Sequence, residues 1–237
     1  MESAIQLIKR KAITLIEQKI ARTGRVLAVR TWAPAAIIEA DLHLPGVNMA
    51  RWSHVQHMKC RVGDWAYRDY SPCGWDAGTE TCTLIIDAGH EGAGVRWAAT
   101  LQPGDTVTYA GIASTPHRPV SDAHLVLLGD ESAIGHFYAL RQLAVNSLSI
   151  RGAVAFANAS QLDASGEYFC DFSTLEPVAG QDRHSGEALV QWAAGQQFHR
   201  DTVFYLVGHI PMVTRLRQWL RGKGYSGAQI KAQGFWK

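Results

Sequence analysis

The sequence predicts two domains in series: a small antiparallel β-barrel, then an α/β domain with a mostly parallel sheet flanked by helices. Three observations predict it. Up to Pro119, short alternating strands are punctuated by Gly and Pro. "HRPVSD" then interrupts the pattern as a linker. Beyond it, continuous apolar strands alternate with helical segments, which implies a sheet covered on both faces. The expected boundaries are an N-terminal helix over 1–23, a barrel over 24–119 and an α/β domain over 120–237.

Taking the elements in order, Ile5, Ile8, Ala12, Leu15, Ile16 and Ile20 fall at helical spacing, so the N-terminus reads as an amphipathic helix ending near Gly24. Lys9, Arg10 and Lys11 interrupt any apolar core, which argues against a signal peptide. The helix is expected to pack on its own domain, with attachment to a membrane surface as the alternative. "AIIEADLHL" alternates apolar Ile38, Ala40, Leu42 and Leu44 with polar Glu39, Asp41 and His43, the pattern of a half-buried strand. Met58, Cys60 and Val62 alternate with Lys59 and Arg61 in the same way. "CTLIIDAG" and "GDTVTYAG" complete the barrel strands.

In the second half, "HLVLLGD", "LSIRGAVAFANA", "EYFCDF", "TVFYLVG" and "QIKAQGFWK" read as strands. "ESAIGHFYALRQLA", "SGEALVQWAAGQQF" and "PMVTRLRQWLRGKG" read as helices. Ser185 is the expected N-cap of the second helix; Pro211 opens the third, and Gly222 or Gly224 ends it.

Composition narrows the function. The chain has 237 residues, 47% of them hydrophobic, enough for a full core. With 23 basic and 21 acidic residues the net charge is +2, too balanced for a nucleic-acid binder by bulk charge. No apolar run is long enough to cross a bilayer. Cys60, Cys73, Cys82 and Cys170 form no C-x-x-C pair, so they read as separate thiols of a reducing cytoplasm, and no metal site is expected.

Candidate chemistry sits at strand ends. In "YRDYSPCGWD" the alternation puts Arg68 and Tyr70 on one face, Ser71 turns the other way, and Pro72 stops the ladder. A cation, a ring and a hydroxyl at one strand end suit a flat, phosphorylated ligand. In a parallel α/β sheet, ligands bind outside the carboxyl ends of the strands. One such end carries Gly129, Asp130, Glu131 and Ser132 at a helix N-terminus, where free N–H groups favour anions. Taken alone, Asp130 reads as an ordinary helix cap. The other end carries Gly208 and His209. Between them in sequence, His90, Gly92 and Gly94 precede a short helix containing Trp97, a place where backbone can approach a pyrophosphate.

The order of these features resembles the siderophore-interacting proteins, flavin-dependent ferric-siderophore reductases of the ferredoxin-reductase superfamily. The resemblance covers nearly everything after Gly24. That family's R-x-Y-T-x-R motif reads here Arg68-Asp69-Tyr70-Ser71-Pro72-Cys73. Its S-x-W-A reads Val95-Arg96-Trp97-Ala98, its G-D-E-T-A reads Gly129-Asp130-Glu131-Ser132-Ala133, and its G-Y-W reads Gly234-Phe235-Trp236. Cys73 and Val95 depart from the pattern and remove groups that hold flavin phosphates; FAD remains the expected cofactor, with lower affinity or FMN as the competitor. Val207-Gly208-His209 replaces the family's A-G-E, which puts the dinucleotide pocket in more doubt than the flavin site.

The resemblance implies a flavin-binding barrel and a Rossmann-like domain for NADPH or NADH, with reduced ferredoxin as an alternative donor. Arg68 would fork onto phosphate oxygens, Tyr70 would pack along the flavin, and Ser71 would hydrogen-bond near the edge that takes hydride. Trp97 and Trp236 would be aromatic walls. Lys59, Arg118 and Lys237 would form a basic rim for an anionic ferric siderophore. The competing expectations are a related flavin oxidoreductase with another acceptor, and a non-catalytic protein that binds a siderophore or a partner.

Overall fold

The computed structural model describes residues 21–32, 36–156, 174–179, 182 and 184–236. Most of the expected N-terminal helix, the "EYFCDF" strand, Cys170 and Lys237 lie outside the described residues. Arg22 and Thr23, expected at the helix end, already belong to the first strand.

Seven strands build the first domain: β1 (Arg22–Trp32), β2 (Ile37–His43), β3 (Gln56–Gly63), β4 (Ala66–Tyr70), β5 (Pro72–Asp76), β6 (Thr81–Asp87) and β7 (Thr106–Ser114). One helix, α1 (Ala93–Thr100), is inserted between β6 and β7. The sheet order is β4-β3-β7-β1-β2-β6-β5, and every pairing is antiparallel. β4 and β5 are therefore the two edges, yet Ser71 alone separates them in the chain. One connecting residue can join two edges only if the sheet curls until they meet, so the sheet is a barrel with a seam at Ser71. Pro72 does end the β4 ladder, as expected, but it also opens β5, the first-residue position that tolerates a missing N–H. The barrel interior is filled by the alternating faces read from the sequence, including Ala40, Leu42, Met58, Cys60, Val62 and Leu84.

The second domain contains β8 (His124–Asp130), α2 (Ile134–Leu143), β9 (Ser149–Phe156), β10 (Leu175–Ala179), α3 (Glu187–Ala194), β11 (Thr202–His209), α4 (Ile210–Gly222) and β12 (Ile230–Trp236). The sheet is parallel, in order β10-β9-β8-β11-β12. β10 carries Pro177, which fits an edge strand and hides it from a periodicity reading. α3 is capped by Gly186, not Ser185, because the backbone turns left-handed there at φ +73°. The Ser185 hydroxyl still accepts the Glu187 N–H at 3.2 Å. Strand order reverses between β8 and β11, so the topological switch point lies at Asp130 and His209.

The two domains share one core. Trp32, Ile37, Cys73 and Ile85 of the barrel pack with Ile134, Phe137, Tyr138 and Val154 of the α/β domain. Gln142 clasps the backbone of Trp75 twice, accepting from its N–H at 3.2 Å and donating to its carbonyl at 2.8 Å.

Across β1 and β2 the pair Arg30–Glu39 is in register. Arg30 Nε donates to fully buried Glu39 at 2.7 Å, and its two terminal nitrogens fork onto Asp41 at 2.8 and 2.9 Å. The Asp41 and Glu39 hydrogen bonds hold the guanidinium well above its ordinary pKa. Arg30→Ala should cost roughly 3 kcal/mol, because it strands a buried carboxylate. Pairing it with Glu39→Leu should recover most of the loss, as read from urea-denaturation midpoints. The described cysteines, Cys60, Cys73 and Cys82, are buried. Burial pushes the Cys60 thiol far up and the Cys82 thiol to about 12. In peptide mapping after a thiol reagent, all three should stay unlabelled until the protein is unfolded.

Candidate functional site

A cleft of about 470 Å³ opens where the barrel seam meets the α/β domain. Arg68, Asp69, Tyr70 and Ser71 form one side, at the end of β4. Ile85, Ile86 and Asp87 come from the end of β6, and His90, Glu91, Gly92, Gly94 and Val95 from the turn into α1. The α/β domain supplies Ser132, Gly135 and His136, and β12 supplies Phe235 and Trp236. The sequence-derived residues Arg68, Tyr70, Ser71, His90, Gly92, Gly94, Ser132 and Trp236 are thus brought to one place.

Local packing explains why they converge. α1 lies against β4 so closely that a Cβ on Gly94 would sit 2.5 Å from the Tyr70 hydroxyl and 3.3 Å from Arg68 Cγ. Tyr70 in turn stacks on Trp97, with centroids 5.7 Å apart and planes 22° from parallel. Burial raises the Tyr70 phenol well above its usual range, so it stays protonated. On the far side, a Cβ on Gly135 would meet the Ser71 carbonyl at 3.0 Å. Glycine at 135 lets α2 approach the seam. There Ser71 Oγ lies 3.3 Å from His136 Nδ1. His136 Nε2 lies 2.9 Å from His117 Nδ1, and both rings are buried. Burial holds His136 well below its ordinary pKa and His117 down to about 4.

Other expected residues stand elsewhere. Trp97 is not a cleft wall; it backs Tyr70. Gly129 is packed against the Val207 carbonyl and Phe137, where a side chain has no room. Asp130 and Glu131 are buried. Asp130 accepts hydrogen bonds from Ser132 N–H at 3.1 Å, Ser132 Oγ at 2.5 Å and His209 N–H at 2.9 Å, tying β8 to β11. Its burial raises the carboxyl pKa. The capping role is therefore what the geometry supports for Asp130. Gly208 adopts φ +125° beside that carboxylate and is buried. Lys59 pairs with Asp69 at 2.8 Å, and Arg118 is exposed in the linker. Cys73 lies in the shared core with its thiol 3.4 Å from the Thr83 carbonyl, so that position presents nothing to the cleft.

Sequence reasoning missed His136, His117, His184 and Asp87, and it noted Phe235 only as part of the terminal motif. His136 carried a signal: "AIGHFYAL" is apolar all round, and a histidine inside a buried helix needs a partner. Trp236 is set among three histidines, stacked on His90 at 5.8 Å and packed against His184 at 4.6 Å and His209 at 4.4 Å. Its indole N–H donates to Ser132 Oγ at 3.3 Å. The ring therefore stands between the cleft and the carboxyl ends of β8 and β11. Among the described residues, no group of three or more His, Cys, Asp or Glu is placed to hold a metal, and no helix is long and apolar enough to cross a membrane.

With this geometry in view, the comparisons with solved structures settle the architecture. A siderophore utilization protein from T. fusca matches with TM-score 0.68 at 21% identity, over 92% of this chain and 92% of its own. The chain has the fold of the siderophore-interacting proteins. One from Aeromonas hydrophila matches with TM-score 0.67 at 16% identity, over 91% of this chain and 97% of its own. A ferredoxin NADP+ reductase from Neisseria gonorrhoeae, with bound FAD and NADP, matches with TM-score 0.66 at 16% identity, over 91% and 98%. No family profile and no curated protein matches the sequence.

Two outcomes are expected. Gly94→Ala should part Tyr70 from Trp97 and weaken the near-ultraviolet circular dichroism of that pair. His117 and His136 are neutral when folded and take protons near their ordinary pKa when unfolded. The unfolded state therefore binds more protons as pH falls below about 6.5, and stability should drop from there toward pH 4. For His117 alone the full drop is on the order of 3 kcal/mol. His117→Gln should flatten that part of the profile in urea denaturation across pH.

Proposed function

We propose that this chain is a flavin-dependent reductase that takes electrons from NADPH or NADH and passes them to a ferric siderophore, releasing Fe(II) in the cytoplasm. The carrying observation is the convergence of Arg68, Tyr70 and Ser71 on a cleft facing the switch point of a parallel sheet, in a fold shared with an FAD- and NADP-bound reductase.

The residues fit a flavin, with FAD preferred and FMN as the competitor. Ile85, Ile86, Phe235 and Trp236 offer apolar and aromatic surface to a flat ring. Arg68 is the one permanent cation among the described residues lining the cleft, and it faces the close-packed start of α1 at Gly92 and Gly94. Guanidinium and helix amides together suit phosphate oxygens. Ser71 offers a hydroxyl at the seam. A bound flavin would supply hydride acceptance from the nicotinamide and single-electron release to iron. The protein's part is to orient, exclude water and fix hydrogen-bond polarity. The dinucleotide would dock near Ser132 and Gly208, at the carboxyl ends of β8 and β11, and Trp236 stands between that place and the cleft. Lys59, Arg118 and Lys237 are proposed as a rim for anionic chelates, with Lys59 first released from Asp69.

A second reading has support of its own. Asp87 and Glu91 line the same cleft, and Asp69 beside them is already paired with Lys59; the two carboxylates oppose a diphosphate and favour a binding protein that has lost its flavin. Colour separates the two. The purified chain reconstituted with FAD should be yellow and bleach on adding NADPH or NADH, and Arg68→Ala should weaken FAD binding roughly 10- to 100-fold. A colourless protein that refuses FAD yet binds ferric siderophore would establish the second reading. Turnover with a panel of acceptors tests the siderophore against other oxidants, and reduced ferredoxin is the control donor. Lys237→Ala should slow reduction of anionic chelates and spare neutral ones.

A further inference from the structure

The Ser71–His136–His117 chain is unlike the rest of the cleft wall. It starts at the seam, runs through one fully buried ring and ends at a second ring in the interdomain linker. The two imidazoles meet edge to face, with centroids 5.0 Å apart and planes at 87°. That arrangement aims one ring nitrogen at another and excludes simple stacking.

A neutral imidazole carries a single N–H, so each ring in a line donates on one side and accepts on the other. Two arrangements follow. In the first, His117 Nδ1–H donates to His136 Nε2, His136 Nδ1–H donates to Ser71 Oγ, and the Ser71 hydrogen faces the cleft. In the second, Ser71 O–H donates to His136 Nδ1, His136 Nε2–H donates to His117 Nδ1, and Ser71 offers the cleft lone pairs. Burial keeps both rings neutral, which is the condition for this alternation.

We propose that His136 and His117 are positioning residues that set whether Ser71 donates to, or accepts from, whatever occupies the cleft, and that the change of direction carries one proton. The inference rests on the flavin reading above. An oxidised ring nitrogen accepts a hydrogen bond, whereas a reduced, protonated one donates, so the facing hydroxyl needs both polarities. The proton count closes. A proton arriving at Ser71 Oγ from the cleft sends Ser71's own hydrogen to His136 Nδ1. The hydrogen on His136 Nε2 passes to His117 Nδ1, and the one on His117 Nε2 passes to water. One proton enters and one leaves, no ring is left charged, and Ser71 ends as a donor to the cleft. The electrons take no part in this path; they go to the ferric acceptor.

The test is nitrogen NMR on the full chain labelled with ¹⁵N-histidine. Without flavin, Ser71→Ala should shift the His136 ring nitrogens and leave those of His124 unmoved. With flavin bound, the protonated nitrogen of His136 should be Nδ1 in the oxidised protein and Nε2 after reduction. His136→Asn keeps a polar atom near Ser71 but cannot relay, and His117→Gln breaks the far end. Each should slow reoxidation of the pre-reduced protein by a ferric chelate about tenfold or more, and shift the flavin midpoint potential, with flavin affinity held within about twofold. A His136 tautomer that is the same in both redox states would overturn the inference even if one variant fails to fold. So would reoxidation unaffected in both variants. Failure of the chain to take up flavin at all would overturn the functional reading itself, and the absence of bound flavin absorbance distinguishes that case.

Discussion

The structure depends on how the barrel closes. Ser71 is the single residue between the two edge strands of a seven-stranded sheet, so the curl of the sheet, the placing of α2 beneath it and the cleft above it are one geometric condition. Gly135 satisfies that condition from the other domain, by letting a helix approach the Ser71 carbonyl. The candidate site residues do not decorate a finished scaffold. Arg68 and Tyr70 are at the end of one edge strand, Ser71 is the closure, and His136 lies on the helix packed against it.

Close packing carries this arrangement outward. Tyr70 is held between Gly94 and Trp97, so the inner wall of the cleft is set by the barrel's own helix. Asp130 binds the ends of β8 and β11 together from beneath. A buried carboxylate with three donors is an expensive way to fix two strand ends, and it places Ser132 and His209 on opposite sides of the switch point. The electrostatics of the cleft are correspondingly mixed, with one guanidinium and three carboxylates among its described lining residues, one of the three paired with Lys59.

Much of this was legible in the residues. Period-two alternation located β2 and β3, the change of pattern at "HRPVSD" separated the strands of the antiparallel sheet from those of the parallel one, and Gly208 and Asp130 marked strand ends. "YRDYSPCGWD" was read as a strand end, and the sheet order makes that end the seam of the barrel. What escaped has physical causes. β10 is short and carries a proline, so it has no periodic signature. Gly186 displaced Ser185 as a cap because only the backbone angle distinguishes them. Trp97 was read as an aromatic wall of the cleft because a motif gives residue types and not directions. His117 and His136 lie 19 residues apart in sequence, one in the linker and the other on α2, and no local pattern links them. The packing of α2 on the seam creates their contact, and only three-dimensional structure can report it.

One feature of the interior bears on how anything reaches this site. Because Trp32, Ile37 and Ile85 are packed into the same apolar mass as Phe137 and Tyr138, the halves of the molecule cannot swing apart as a clamshell without tearing that mass open to water. Any widening of the crevice that leaves this mass intact must come from side chains at its rim, where the indole of Trp236 and the imidazole of His90 are stacked on each other.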